Sequence, residues 1–393
     1  MLLGNNPYPQ DVRVRREALA LVGAGYRVTV IAPRMSGQPR RERIDGVGVI
    51  RYPSPIDAHG FVGHVAEHAV AAVAAFALAS RTAVSPGFDV LHAHNPPDTF
   101  AVVGKLFKLF GKRFVYDHHD LSPEMYDARF GERANPLVRR LLVFLERLSC
   151  RAADHVIATN ESYRAMEIER SGVPAESVTV VRNGPDPAQD FAVAPDGELR
   201  AKAGTILGYV GNMGRQDGVD HLLRAVRHLV YDLGIDDVYC VVVGKGDARA
   251  GLIELAAELG VSEKVWFTGF IPRPALRRYL STADVCVDPD PSNAFNDRST
   301  MIKMLEYMAL GKPIVAFDLP EHRVTADGAA LYARPNDDLD LARKIAELAR
   351  DPTRARQMGT LGRKRVESAL AWEYSVPRLL DAYRRVSRTP LHA

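Results

Sequence analysis

A chain of 393 residues, 47% hydrophobic and 25% charged, has the composition of a globular protein and is long enough for two domains, each with its own core. Lys plus Arg 51 against Asp plus Glu 48 leaves a net charge of +3, which argues against nucleic-acid binding through bulk charge and leaves room for local basic patches. The cysteines, Cys150, Cys240 and Cys286, stand far apart in apolar runs, which excludes a disulfide framework or a zinc ribbon and fits reduced thiols in a cytoplasmic protein.

The opening MLL reads as a very short first strand, short enough to suggest a start further upstream, and it lacks the basic and apolar regions of a signal peptide. The loop GNNPYPQDVRV leads into a helix over 15–24 and the strand RVTVIAP, the opening of a parallel sheet. VGVIRYPS is the next strand. The Ala-rich helix after Gly60 carries His64, Glu67, His68 and Arg81, so it reads as a soluble helix and not a membrane span. DVLHAHN, RFVYDHHD, HVIATN and SVTVVRNG follow as strands alternating with helices, which completes one doubly wound domain over 1–185. Residues 186–204 are polar, broken by Pro and Gly, and read as a linker. TILGYVG, VYCVVVG, KVWFTG, DVCVDP, PIVAF and AALYA then mark a second domain of the same kind over 205–371, and 372–393 reads as a terminal helix packing back towards the first domain. Two facing domains of this α/β class leave a cleft between the carboxyl edges of their sheets.

Loops at those edges are the candidate site. GNMGRQDG (Gly211, Arg215, Asp217) and GKGD (Gly244, Lys245) are Gly-rich turns between a strand and a helix, shaped either for tight packing or for backbone N–H contacts to a phosphate. Neither has the three-glycine spacing of a dinucleotide fingerprint, and no Walker loop, nucleophile elbow or kinase signature occurs. Asp288-Pro289-Asp290 ends an apolar strand among prolines and reads as a turn and not as a metal site. His118 and His119 close the strand FVY; strand-end histidines are commonly structural, and the alternative is an acid/base or polar role.

The stretch 293–316, NAFNDRSTMIKMLEYMALGKPIVA, reads as loop, amphipathic helix and buried strand, with the helix stopped at Gly311. Met301, Met304, Leu305 and Met308 share one face, while Ser299, Lys303 and Glu306 share the opposite stripe, as a solvated pair or as part of a site.

These segments, in this order, resemble glycosyltransferase family 4, retaining enzymes of the GT-B architecture in which two facing Rossmann-like parallel-sheet domains enclose an interdomain cleft. The carriers are NPYPQDVRVRREALALVGAGYRVTVIAP, DVLHAHNPPD, VYDHHDLSPE and NDRSTMIKMLEYMALGKPIVAFD, and they cover essentially the whole chain. The resemblance implies metal-independent transfer from a nucleotide sugar, without a further cofactor, to a glycan or glycoconjugate acceptor. It implies that Glu306 holds the ribose and that His119, with His118 close behind, faces the donor sugar. Where the family has a first glutamate, this chain has Arg298, in a branch with NDRST; Asn296, Asp297, Ser299 and Thr300 are then expected to take over sugar and phosphate contacts. The family's Arg/Lys pair is replaced by Asn212 and Asp217, leaving Arg215, Lys245 and Lys303 as candidate cations. Asn5, Asn6, Asp11 and His94 are expected on the acceptor side. KLFKLFGKR, 105–113, reads as a helix packed by Leu and Phe with its lysines reaching water, or else as a peripheral contact with the inner face of a membrane. A sugar-nucleotide-binding protein without catalysis and a nucleotide-sugar epimerase are the competing functions.

Overall fold

The computed structural model describes residues 1–4, 6–53 and 60–387. Two compact units emerge: Met1–Asp127, Glu132–Asn183 and Trp372–Ala393 form the first, and Ala128–Gly131 with Gly184–Ala371 form the second. The stretch expected as a linker belongs to the second unit. It contains a short helix, Gly197–Arg200, and is pinned by hydrogen bonds from the Val193 and Asp196 amides to the Ser281 and Thr282 hydroxyls. Polar and Pro-rich residues here clothe a surface, which sequence cannot tell from a spacer.

The first unit holds strands β1 (Thr29–Arg34), β2 (Arg41–Ile44), β3 (Val47–Pro53), β4 (Val90–His94), β5 (Arg113–His118), β6 (His155–Ala158) and β7 (Val178–Val180). They run β2-β3-β1 and β4-β5-β6-β7, and Leu2 joins the two groups by parallel bridges to Ile31 and Ala93. The expected first strand is therefore this single bridged residue. β2 is the one strand missing from the sequence reading. Its RERI is exposed and carries no apolar alternation, yet Asp45 and Gly46, both with positive φ, turn it into an antiparallel hairpin with β3. Leu379, Ala382, Tyr383 and Val386 of the terminal helix Trp372–Val386 lie in the same core as Val14, Ala18, Val30 and Val115.

The second unit holds β8 (Thr205–Val210), β9 (Val238–Val243), β10 (Val265–Gly269), β11 (Val285–Asp288), β12 (Ile314–Phe317) and β13 (Ala330–Ala333). All are parallel, in the order β10-β9-β8-β11-β12-β13. The chain runs outward from β8 to β10, then returns to lay β11 against the other side of β8. The carboxyl ends of β8 and β11 thus flank the point where strand order reverses, the ligand crevice of such sheets. Cys150, Cys240 and Cys286 are free and buried, and among the described residues no helix is long and apolar enough to cross a membrane.

Candidate active site

In the first unit, strand alternation sorts the residues at the ends of β4 and β5. His92 and His94 face the same side as Asp117 and His119, and His118 faces the other. Asp117 is the hub. Its Oδ2 accepts from Nε2 of His119 at 2.8 Å and lies 2.9 Å from Nδ1 of His94 and 3.6 Å from Nε2 of His92. Burial works against an ionised Asp117, but His119 and the N–H groups of His92 and His94 outweigh it and hold the carboxyl well below the usual range. Glu17, from the helix Val12–Gly23, goes the other way: burial and the Asp117 charge push it well above its usual range. Burial and the neighbouring His92 depress His94 to about 3, and burial lowers His92, so both stay neutral imidazoles.

This arrangement orients His119. With Nε2–H on Asp117, its Nδ1 keeps a lone pair, and that atom has no protein hydrogen-bond partner. Asn95 clamps the same turn, its Oδ1 accepting the amides of His119 at 2.6 Å and Asp120 at 3.1 Å. Tyr383 shares a 2.8 Å hydrogen bond with Nδ1 of His92, so the terminal helix supports the cluster.

His118, expected as a second catalytic candidate, is corrected by strand alternation. It is fully buried, with Nδ1 donating to Glu167 at 3.0 Å and Nε2 3.7 Å from Glu146. Burial alone would lower its pKa, but the Glu167 hydrogen bond and the charges of Glu146 and Glu167 raise it to about 9, making it a structural imidazolium. On the acceptor side, His94 belongs to the histidine cluster. Asp11 caps the helix Val12–Gly23 through the Arg13 and Val14 amides and accepts from the Asn6 side chain at 3.1 Å. Asn5 lies outside the described residues.

In the second unit, the glycines of the two Gly-rich loops serve packing. A Cβ on Gly244, whose φ is +142°, would fall 1.8 Å from the Gly211 carbonyl oxygen, so the loops can touch only as glycine. The amides of Gly211, Met213 and Gly244 are already given to the carbonyls of Val243, Lys245 and Gly269. Asp217, expected at a donor-side contact, folds back to accept the Gly214 amide at 2.8 Å, which favours the packing alternative for this loop. Arg215 and Lys245 are exposed, Lys245 lying 5.9 Å from the Phe270 ring centre.

The NDRST side chains mostly hold their own loop, contrary to the expected sugar and phosphate contacts. Asn296 is 1% exposed and gives its amide to the carbonyls of Gln216 and Pro291 at 2.9 and 2.8 Å. Asp297 accepts from the Ser292 hydroxyl, Ser299 donates to the Phe295 carbonyl, and Thr300 donates to Glu321. The helix that follows, Ile302–Ala309, has no side-chain cap at Met301; its Met304 amide is given to the Met301 carbonyl at 3.2 Å, and the Ile302 and Lys303 amides head the helix without a side-chain acceptor from Met301. Lys303, read as either one half of a solvated pair or a donor-site cation, is buried beside the end of β8. Its Nζ lies 3.2 Å from Asp288 and 2.5 Å from Asp290. Burial would depress its pKa, but Asp288, Asp290 and Asp217 overcome that and hold it above the usual lysine range. Glu306, on the next turn, keeps 23% of its side chain exposed, with Arg273 at 3.9 Å.

Sequence reasoning missed Asp117, although its place two residues before His119 on a strand was a usable signal. Asn95 was placed at the cleft edge by the sequence, but its clamp on the His119 and Asp120 amides depends on a contact remote in sequence.

Fold and site define a glycosyltransferase of the GT-B class. Residues 10–184 match the glycosyl transferase 4-like domain and residues 204–351 match the glycosyl transferases group 1 domain; together they mark the chain as a nucleotide-sugar-dependent glycosyltransferase of this type. It is 30% identical over 266 residues to alpha-maltose-1-phosphate synthase of Mycolicibacterium smegmatis, covering 62% of this chain and 66% of that one. It is 23% identical over 390 residues to 2-deoxystreptamine glucosyltransferase of Streptomyces kanamyceticus, covering 96% and 98%. Among solved structures, sucrose-phosphate synthase from Thermosynechococcus elongatus shares the fold with a TM-score of 0.78 at 22% identity, over 96% of this chain and 93% of that one.

Proposed function

We propose that the protein transfers a hexosyl group from a nucleoside-diphosphate sugar to a hydroxyl of a glycan, lipid-linked glycan or other glycoconjugate, with retention of anomeric configuration. The observation that carries the donor side is the helix Ile302–Ala309, which brings an uncapped N-terminus and Lys303 to the end of β8 and sets Glu306 one turn on. A diphosphate suits the first two groups, and a ribose diol suits a carboxylate. In the reaction, the bond from the anomeric carbon to the phosphate oxygen breaks as the acceptor oxygen bonds to the same face, and the acceptor proton passes to the departing phosphate. Charge developing on that phosphate is stabilised by the helix amides and Lys303. His119, held by Asp117, accepts a hydrogen bond from a hydroxyl of the transferred sugar. The similarity to an alpha-maltose-1-phosphate synthase and a 2-deoxystreptamine glucosyltransferase supports a polar, hydroxyl-bearing acceptor. The test is titration calorimetry of Glu306→Ala against UDP-, GDP- and dTDP-sugars. A loss of about tenfold or more in affinity for the preferred donor is expected, and unchanged affinity would remove the ribose assignment.

We also propose peripheral contact of the first unit with an anionic membrane surface. On the helix Pro136–Ala152, Leu137, Leu141 and Phe144 are 68%, 53% and 60% exposed, with the exposed Arg140 and Arg147 along one flank of that stripe. The neighbouring helix Phe100–Leu109 ends with Leu109 and Phe110, 79% and 75% exposed, and bears Lys105. Apolar stripes edged by basic residues fit a headgroup layer.

A further inference from the structure

Three buried acceptor atoms meet at the carboxyl end of β11 with no donor to satisfy them. Asp288 ends β11, Asp290 follows two residues on, and His322 comes from the helix Pro320–Ala326; their exposures are 0%, 1% and 0%. Each carboxylate gives one oxygen to Lys303, Oδ1 of Asp288 and Oδ2 of Asp290. The other oxygens, Oδ2 of Asp288 and Oδ1 of Asp290, have no hydrogen-bond partner, and neither does Nε2 of His322.

The imidazole is oriented as a ligand would be. Its Nδ1 donates to the Phe317 carbonyl at 2.9 Å, which leaves the lone pair on Nε2, and that lone pair lies 3.7 Å from Oδ2 of Asp288. A lone pair facing a carboxylate oxygen at this distance is repulsive, and the separation is too long for a direct hydrogen bond. One ligand atom from each of the three residues lies within 4.8 Å of the others, a span that a single ion can close. Charge points the same way. Asp288 and Asp290 share the one ammonium of Lys303 in a buried place, so the carboxyls outnumber the cation that serves them. A water molecule has two protons for three acceptors and leaves the charge uncorrected. The other histidine and carboxylate group, Glu17, His94, Asp117 and His119, differs because Asp117 already accepts from the nitrogens that face it.

We propose that Asp288, Asp290 and His322 bind one divalent cation through two carboxylate oxygens and one imidazole nitrogen, at the strand end beside Lys303. A mixed oxygen and nitrogen set of this kind suits Mn²⁺ or Zn²⁺ better than Mg²⁺. The site departs from the metal-independent chemistry that the sequence resemblance implies.

The test titrates the metal alone, so its outcome does not depend on the donor reading. Chelator-stripped full-length protein is titrated calorimetrically with Mn²⁺, Zn²⁺ and Mg²⁺, and bound Mn²⁺ is followed by electron paramagnetic resonance. One Mn²⁺ or Zn²⁺ per chain is expected, with affinity falling at least about tenfold in Asp290→Asn and in His322→Gln. Lys303→Gln is expected to bind the metal at least about tenfold more tightly, because it removes the ammonium that competes for both carboxylates; a variant with impaired folding cannot give that gain by damage. Absence of stoichiometric binding by wild-type protein would overturn the proposal. So would affinity unchanged in Asp290→Asn and His322→Gln, or affinity unchanged or weakened in folded Lys303→Gln.

Discussion

Asp117→Asn isolates the orientation of His119. The carboxylate accepts from His119 at 2.8 Å, and the same oxygen lies 2.9 Å from Nδ1 of His94, which is itself 3.1 Å from Nε2 of His119. An asparagine of the same shape carries no charge, and one of its two positions is an NH₂ that cannot accept. Each charge-assisted bond of this kind contributes about 1.5–3 kcal/mol. Losing the one to His119 frees the ring to take the other tautomer, in which Nδ1 carries the proton and no longer accepts from a sugar hydroxyl. If that bond acts only on the transferring sugar, kcat falls by about 10-fold to 150-fold with the donor KM nearly unchanged. Loss of the charge beside His94 appears separately, as lower unfolding stability. The assay is steady-state transfer with the preferred donor, well below the variant's melting temperature, with donor affinity measured in parallel. A kcat within about threefold of wild type in a folded Asp117→Asn protein would refute the dyad.

Two further outcomes follow from the first unit. His118 is raised from 6.5 unfolded to about 9 folded, so its contribution to stability is complete below pH 6.5 and disappears as the pH rises through 9. The stability difference between wild type and His118→Gln, taken from urea unfolding, should therefore shrink by about 3 kcal/mol between pH 6 and pH 10, and a constant difference would contradict a structural imidazolium. The double variant Leu141→Glu/Phe144→Glu should co-sediment with phosphatidylglycerol vesicles at low salt at least about tenfold less than wild type, since each buried side chain is worth about 1.5–3 kcal/mol; equal binding would remove the membrane contact.

The fold was legible in the sequence wherever strands are buried on both faces. IVAF, VYCVVV and TILGYV appear where continuous apolar runs place them, and Gly311, with φ +65°, ends its helix as expected. RERI failed this rule because an exposed edge strand needs no apolar face. The site was legible by location and less so by role. Loops at the carboxyl ends of β8 and β11 follow from the βα alternation, but whether a polar side chain faces ligand or its own loop depends on partners far along the chain. Asn296 and Gln216 are 80 residues apart, and Lys303 meets Asp288 across 15. A lysine three residues before a glutamate on a short helix looks solvated until the strand it packs against is found to end in a carboxylate.

The terminal helix Trp372–Val386 belongs to the unit begun by Met1, whereas Gly184–Ala371 builds the other. The second domain is thus, in gene terms, largely an insertion within the first. A chimera that exchanged everything after residue 184 with a relative would replace Leu379, Tyr383 and Val386 as well, putting a foreign helix into the first domain's core and a foreign partner against His92. Exchange of Gly184–Ala371 between two junctions, at 183/184 and at 371/372, leaves the terminal helix in place and parts the second unit only from its four residues Ala128–Gly131.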